Sequence, residues 1–133
     1  MENEIALYER LGGEEGLRRI VRAFYGFMDT LPEARGIREM HPENLEGSIE
    51  KLFLFLSGWT GGPQLFVEKF GHPMLRKRHM PFSIGKSERD QWMICMVNAL
   101  EQEKIDDELR ELLIDAFLRL ADHMRNRDHG DVS

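Results

Sequence analysis

His72-Pro73-Met74-Leu75-Arg76-Lys77-Arg78-His79-Met80-Pro81-Phe82 is the stretch on which the reading of this chain turns. It sets two histidines, two prolines and three consecutive cations inside a longer connector, Pro63 to Gly85, that has no sustained helical or strand period. Leu65 to Phe70 suits one short helix. Met74, Leu75 and Arg78 suit another turn before Pro81. A helical bundle does not need so irregular a connection of this length, and long structured loops commonly shape sites.

On both sides of the connector the pattern is helical. Leu17, Ile20, Val21, Phe24 and Met28 recur at helix spacing after Gly12-Gly13, and Pro32 ends the run. A second helix is expected from near Glu43 or Asn44 to Gly58, stopped by Gly61-Gly62-Pro63. It carries two stripes. Ile49, Leu52, Phe53 and Leu56 form one. Ser48, Leu52, Phe55 and Trp59 form the other, so the helix suits both a core and a cavity. A third helix is expected to begin at Ser87, with Ser87 and Asp90 as a capping box, and to bury Trp92, Cys95, Met96, Ala99 and Leu100. The fourth spans about Asp107 to Met124, its inner face marked by Leu109, Leu112, Leu113, Ala116, Phe117, Leu120 and Met124. The polar tail from about Asn126 is expected to fray. Residues 1–133 thus read as a single all-α domain.

Lys and Arg number 18 against 24 Asp and Glu, a net charge of -6 with the signs interspersed, which argues against a nucleic-acid surface. No apolar run is long enough to span a membrane. The acidic start, Met1-Glu2-Asn3-Glu4, does not read as a signal peptide. The single cysteine, Cys95, fits a reducing compartment and a buried core thiol, so the cytoplasm is the expected location.

The histidines, His41, His72, His79, His123 and His129, lack zinc spacing, and one cysteine gives no thiolate pair. No phosphate-binding glycine loop is present. Haem is one explanation of the connector. Its iron needs a strong axial ligand in an apolar slot, and its propionates favour nearby cations. Arg76-Lys77-Arg78-His79 offers both kinds of group, with Arg78 the preferred propionate contact. Taken from the residues alone, Tyr25 and Trp92 also read as ordinary core aromatics, His79 as a loop histidine and His41 as a turn residue before Pro42. His72 reads as a brace for the bend between Gly71 and Pro73, and His123 and His129 as solvated.

An ordered set of motifs decides among these. Tyr8-Glu9-Arg10-Leu11-Gly12-Gly13, Phe24-Tyr25, Gly61-Gly62-Pro63, His72 to Phe82 and Arg89-Asp90-Gln91-Trp92 together resemble the truncated haemoglobins, in particular their second group, of bacterial type. The resemblance runs from about Leu7 to Met124. It implies a globin-like two-over-two helical sandwich around haem b, with His79 as the proximal iron ligand. It also implies that Tyr25, Trp92 and His41 are distal hydrogen-bond donors to the bound ligand, and that Ser48, Leu52 and Phe55 line the pocket. Ser48 is small where globins often place a bulky distal histidine, and Leu52 supplies no donor. Phe82 packs under the haem in this reading, or into the loop core in the alternative one.

The implied function is reversible binding of oxygen and other diatomic ligands. The alternative is a haem-dependent redox enzyme, such as a nitric oxide dioxygenase or peroxidase, served by a reductase that the sequence does not name. A non-haem helical interaction module is a third class. Nucleic acid and membrane are not among the expected partners, and a monomer or weak homodimer is the expected assembly.

Overall fold

A computed structural model describes residues 6–126; His129 and the expected fraying beyond Asn126 lie outside the described residues, as does the Met1–Glu4 start. The elements are α1 (Leu7–Arg10), α2 (Gly13–Thr30), a 3-10 turn (Pro32–Ala34), α3 (Arg35–Glu39), α4 (Glu46–Trp59), α5 (Leu65–Phe70), α6 (Leu75–His79), α7 (Lys86–Gln102) and α8 (Asp107–His123). Helix α2 pairs with α4 and lies across α7, which in turn pairs with α8. The expected two-over-two arrangement is therefore present.

Apolar periodicity accounts for the core. Leu17, Ile20, Val21, Phe24 and Met28 are all sealed on α2, as expected. Full burial of such side chains contributes about 1.5–3 kcal/mol each. Of the ion pairs that also link α2 to α4, Arg22 to Glu46 is largely solvent-exposed and Arg18 to Glu50 is still partly so. Exposed pairs of this kind contribute about 0–1 kcal/mol. The apolar face, not charge, holds the two helices together. Cys95 is fully buried on α7, and burial pushes its thiol up to about 11, so it is an inert core thiol as expected.

Boundaries differ from expectation where side-chain reach decides them. Helix α4 starts at Glu46, because the Asn44 Oδ1 accepts from the Glu46 N–H at 2.9 Å and holds the chain in a turn first. Helix α7 starts at Lys86, and the Ser87–Asp90 capping box does not form. Glu88 instead accepts from the Gly85 N–H at 2.7 Å, a reach the shorter Asp90 lacks, while the Ser87 hydroxyl accepts from Gln91 Nε2 at 3.0 Å. On α8 the buried line runs Leu109, Leu113, Phe117, Ala121 and on to Met124. Leu112, expected on that face, is 50% exposed, because it lies about 100° around the helix from Leu113.

The glycine pair after α4 does more than stop a helix. Gly61 has φ +93°, and a Cβ on Gly62 would stand 2.4 Å from the Tyr8 ring. The Tyr8 N–H donates to the Thr60 carbonyl at 2.9 Å, so this turn is also where α1 docks. Among the described residues no helix is long and apolar enough to cross a membrane.

Candidate functional site

Helix α6 exists because the chain turns sharply ahead of it. Met74 adopts a left-handed conformation, φ 46°, which a side-chain-bearing residue holds only when its neighbours fix it. Here the Arg78 Nε donates to the Pro73 carbonyl and the Arg78 N–H to the Met74 carbonyl. Arg78 braces the bend. His72, expected in that role, is exposed and has no hydrogen bond among the described residues, because its neighbours turn it to solvent. Arg76 reaches the other way and donates to the carbonyls of His123 and Arg125 at the end of α8, at 3.1 and 2.8 Å.

His79 closes α6, half-buried. Its Nδ1 lies 2.7 Å from the Leu75 carbonyl. A neutral imidazole donating there carries its proton on Nδ1 and keeps the Nε2 lone pair free, the form that ligates metals.

Tyr25 and His41 come together from α2 and from just beyond α3. Their ring centroids are 5.7 Å apart, edge to face. Tyr25 is 7% exposed, and burial pushes its phenol up, so the hydroxyl remains a donor across the physiological range. The His41 Nδ1 lies 2.8 Å from the Ile37 carbonyl. Burial lowers the His41 pKa first, with Arg38 and His79 adding to it, against the raising effect of the Ile37 bond. His41 is therefore neutral near pH 7 with its proton on Nδ1, and its Nε2 is an acceptor. The donor expected of His41 forms only on protonation.

Trp92 stands on α7 with one side on the core, its ring 4.9 Å from Phe24 and 5.7 Å from Phe117. The indole N–H and the Tyr25 hydroxyl have no hydrogen-bond partner among the described residues, and neither is fully buried. Gln91, beside Trp92, accepts from the Ile37 N–H at 2.9 Å and so fastens α3, with His41 behind it, to α7. Its partner lies 54 residues away, and sequence reading gave it no role.

The two stripes of α4 separate as expected. Ile49, Phe53 and Leu56 are sealed, while Ser48, Leu52, Phe55 and Trp59 are half-buried. The Phe55 ring meets Phe66 at 6.3 Å, and the Arg78 guanidinium lies 5.3 Å from the Phe66 ring centre. Phe82 is 43% exposed, which excludes its packing into the loop core. A hollow of about 480 Å³ between α2 and the end of α7 contains none of these residues, and its Arg19 is paired with Glu103.

A bare metal ion held by side chains needs several donors together, and among the described residues no cluster of three or more His, Cys, Asp or Glu is present. Two imidazoles with a free Nε2, a half-open apolar row and two unpartnered donors are groups that an iron already held by a flat macrocycle would use.

Comparison with known proteins agrees with this chemistry. Residues 6–126 match the family described as bacterial-like globin. A group 2 truncated hemoglobin of Bacillus subtilis is 36% identical over 126 residues, covering 95% of this chain and 92% of that protein. A cold-adapted truncated hemoglobin from the Antarctic marine bacterium Pseudoalteromonas haloplanktis superposes with a TM-score of 0.90 at 50% identity, covering 92% of this chain and 99% of that one. A group II 2-on-2 hemoglobin from the plant pathogen Agrobacterium tumefaciens gives 0.89 at 45% identity, over 94% and 97% of the two chains.

Proposed function

Since the chain belongs to the group II, two-on-two truncated haemoglobins of the bacterial-like globin family, we propose that it holds haem b through His79 and binds oxygen reversibly on the face reached by Tyr25 and Trp92. Family membership supports haem binding and diatomic gas ligands in general. The observation that carries the finer reading is that His79 ends α6 next to Arg78 with its Nδ1 on the Leu75 carbonyl, which would leave Nε2 free to hold the iron, whereas His41, with the same kind of contact to Ile37, stands beside Tyr25.

When bound, the haem supplies the iron that takes up the diatomic ligand. The protein's own groups set the conditions. The Leu75 carbonyl orients the His79 ring and makes it a better donor, as partners of metal-bound histidines do. Arg78 uses Nε on Pro73, which leaves its two Nη groups for a propionate. Leu52 and Phe55 line the slot without competing donors, and Ser48 keeps its entrance small-walled. Phe82, exposed on the loop after His79, would pack against the macrocycle. The redox-enzyme alternative would use the same donors, and no separate observation favours it.

Titration of the apoprotein with haemin tests the reading. A Soret band should grow and saturate at one haemin per chain, and the holoprotein should unfold at higher temperature, since haem binds the folded chain. Non-saturating, featureless uptake with no gain in stability would contradict it.

His41 gives the site a pH dependence with a definite sign. Its folded pKa is lowered, so protonation falls below the ordinary histidine value of about 6.5. The groups that act on it are Tyr25 from α2, Arg38 on its own segment and His79 from α6. On protonation, Nε2 turns from acceptor to donor. Oxygen release should therefore slow as pH falls through the acid range, and His41→Phe should flatten the profile. Stopped-flow oxygen dissociation across pH measures this, and an identical slope in His41→Phe would remove His41 from the account.

A further inference from the structure

The turn that follows His79 is tied to the end of α8 by one side chain. The Asn126 Oδ1 accepts from the Ile84 N–H at 2.9 Å, and the Asn126 N–H returns a bond to the Ile84 carbonyl at 2.9 Å. The Asn126 Nδ2 donates to the carbonyls of His79 and Phe82, at 3.1 and 2.8 Å. Asparagine alone among short side chains offers an acceptor and two donors together, as these three partners require. The bonds span 42 to 47 residues of sequence and reach the backbone on both sides of Met80 and Pro81.

From this geometry we infer that Asn126 is a positioning residue for His79: it fixes the backbone carbonyl of the proposed iron ligand and the loop behind it, and so sets the tilt and strength of the axial bond. The inference rests on the proposed role of His79. Helix α6 is a single turn long, too short to hold its own shape in water. Its start is held by Arg78 on Pro73, and its side by Arg76 on the end of α8. The His79 carbonyl accepts from the Phe82 N–H at 3.0 Å within the turn, and among the described residues Asn126 is what holds it from outside the turn. Without that tie the imidazole would keep its Leu75 contact and the turn its Phe82–His79 bond, but the turn as a whole would be free to shift against the segment after α8.

Two variants separate positioning from simple folding. Asn126→Ala removes all three side-chain bonds. Asn126→Asp keeps the acceptor for the Ile84 N–H but turns a carboxylate oxygen towards the carbonyls of His79 and Phe82, so it loosens the ligand turn while retaining the tie to Ile84. The readouts are the iron–histidine stretching band of the ferrous, ligand-free holoprotein, haemin transfer to a scavenging apoglobin, and hydrogen exchange of the apoprotein at residues 79–85.

Both variants should shift or broaden the band and lose haemin about tenfold faster, the effect of one or two lost hydrogen bonds. Exchange at 79–85 should also quicken in the apoprotein, where no haem contributes. An unmoved band and unchanged haemin transfer in both folded variants would overturn the positioning role. Loss of the folded state in Asn126→Asp as well as Asn126→Ala would overturn it too, in favour of a purely structural one. Failure of the underlying reading looks different: the wild-type band would be missing, or would survive His79→Gly.

Discussion

His79→Gly should abolish tight haem binding and leave a site that added imidazole refills. The side chain removed is the half-buried histidine of the connector, whereas His72 is exposed. The Leu75 carbonyl and the Asn126 amide, which orient His79, both remain. The cavity left by the ring is bounded by a backbone that still presents the same shape, so a free imidazole can occupy it and donate in place of Nε2. Haemin affinity should fall by several orders of magnitude, because a metal–ligand bond is lost and not a weak contact, and it should recover as imidazole is added. Haemin titration with and without imidazole measures both. A variant that kept an unchanged histidine-ligated spectrum would show that another residue holds the iron.

The second large effect is on oxygen release. Tyr25→Phe and Trp92→Phe each remove one donor and leave an aromatic ring of nearly the same shape in place. A buried hydrogen bond to a partly charged acceptor is worth roughly 1.5–3 kcal/mol. Each single variant should therefore release oxygen about ten to a hundred times faster. The two should not be additive. Phe24 packs 4.9 Å from both the Tyr25 and the Trp92 ring, so a shift at one is passed to the other. His41 adds a further coupling, because its Nε2 near pH 7 is an acceptor able to draw the Tyr25 hydroxyl towards itself. Stopped-flow dissociation for the two single variants and the double variant gives the coupling directly. Unchanged release in both single variants, with His79 still ligating, would remove the distal donors and leave the fold untouched.

The long helices were legible because their cause is local and periodic. Leu17 to Met28 on α2 and the two stripes of α4 are patterns within single elements, and both stripes fall where the spacing puts them. The all-α class and the half-buried row Ser48, Leu52, Phe55 and Trp59 follow from that alone. Family resemblance supplied what periodicity does not carry: the expectation that His79, Tyr25, His41 and Trp92, scattered over four segments, belong to one site. Three features were not legible. The tautomer of His41 is set by the Ile37 carbonyl 2.8 Å from its Nδ1, and sequence does not give tautomers. The start of α7 depends on Glu88 reaching Gly85, a competition that the nearby Ser87 and Asp90 disguise. Gln91 and Asn126 act through backbone groups more than 40 residues distant, and an amide side chain carries no sign of such a partner.

The central claim is that one haem iron sits between His79 and the Tyr25, Trp92 and His41 side. The absorption spectrum of the haem-loaded protein, taken through ferric, ferrous and oxygen-equilibrated forms, tests it most directly. A histidine-ligated ferrous spectrum that converts to an oxygenated one and returns when oxygen is withdrawn is the predicted result. A chain that shows no Soret absorbance after haemin is added, or whose ferrous form does not change with oxygen, would contradict it.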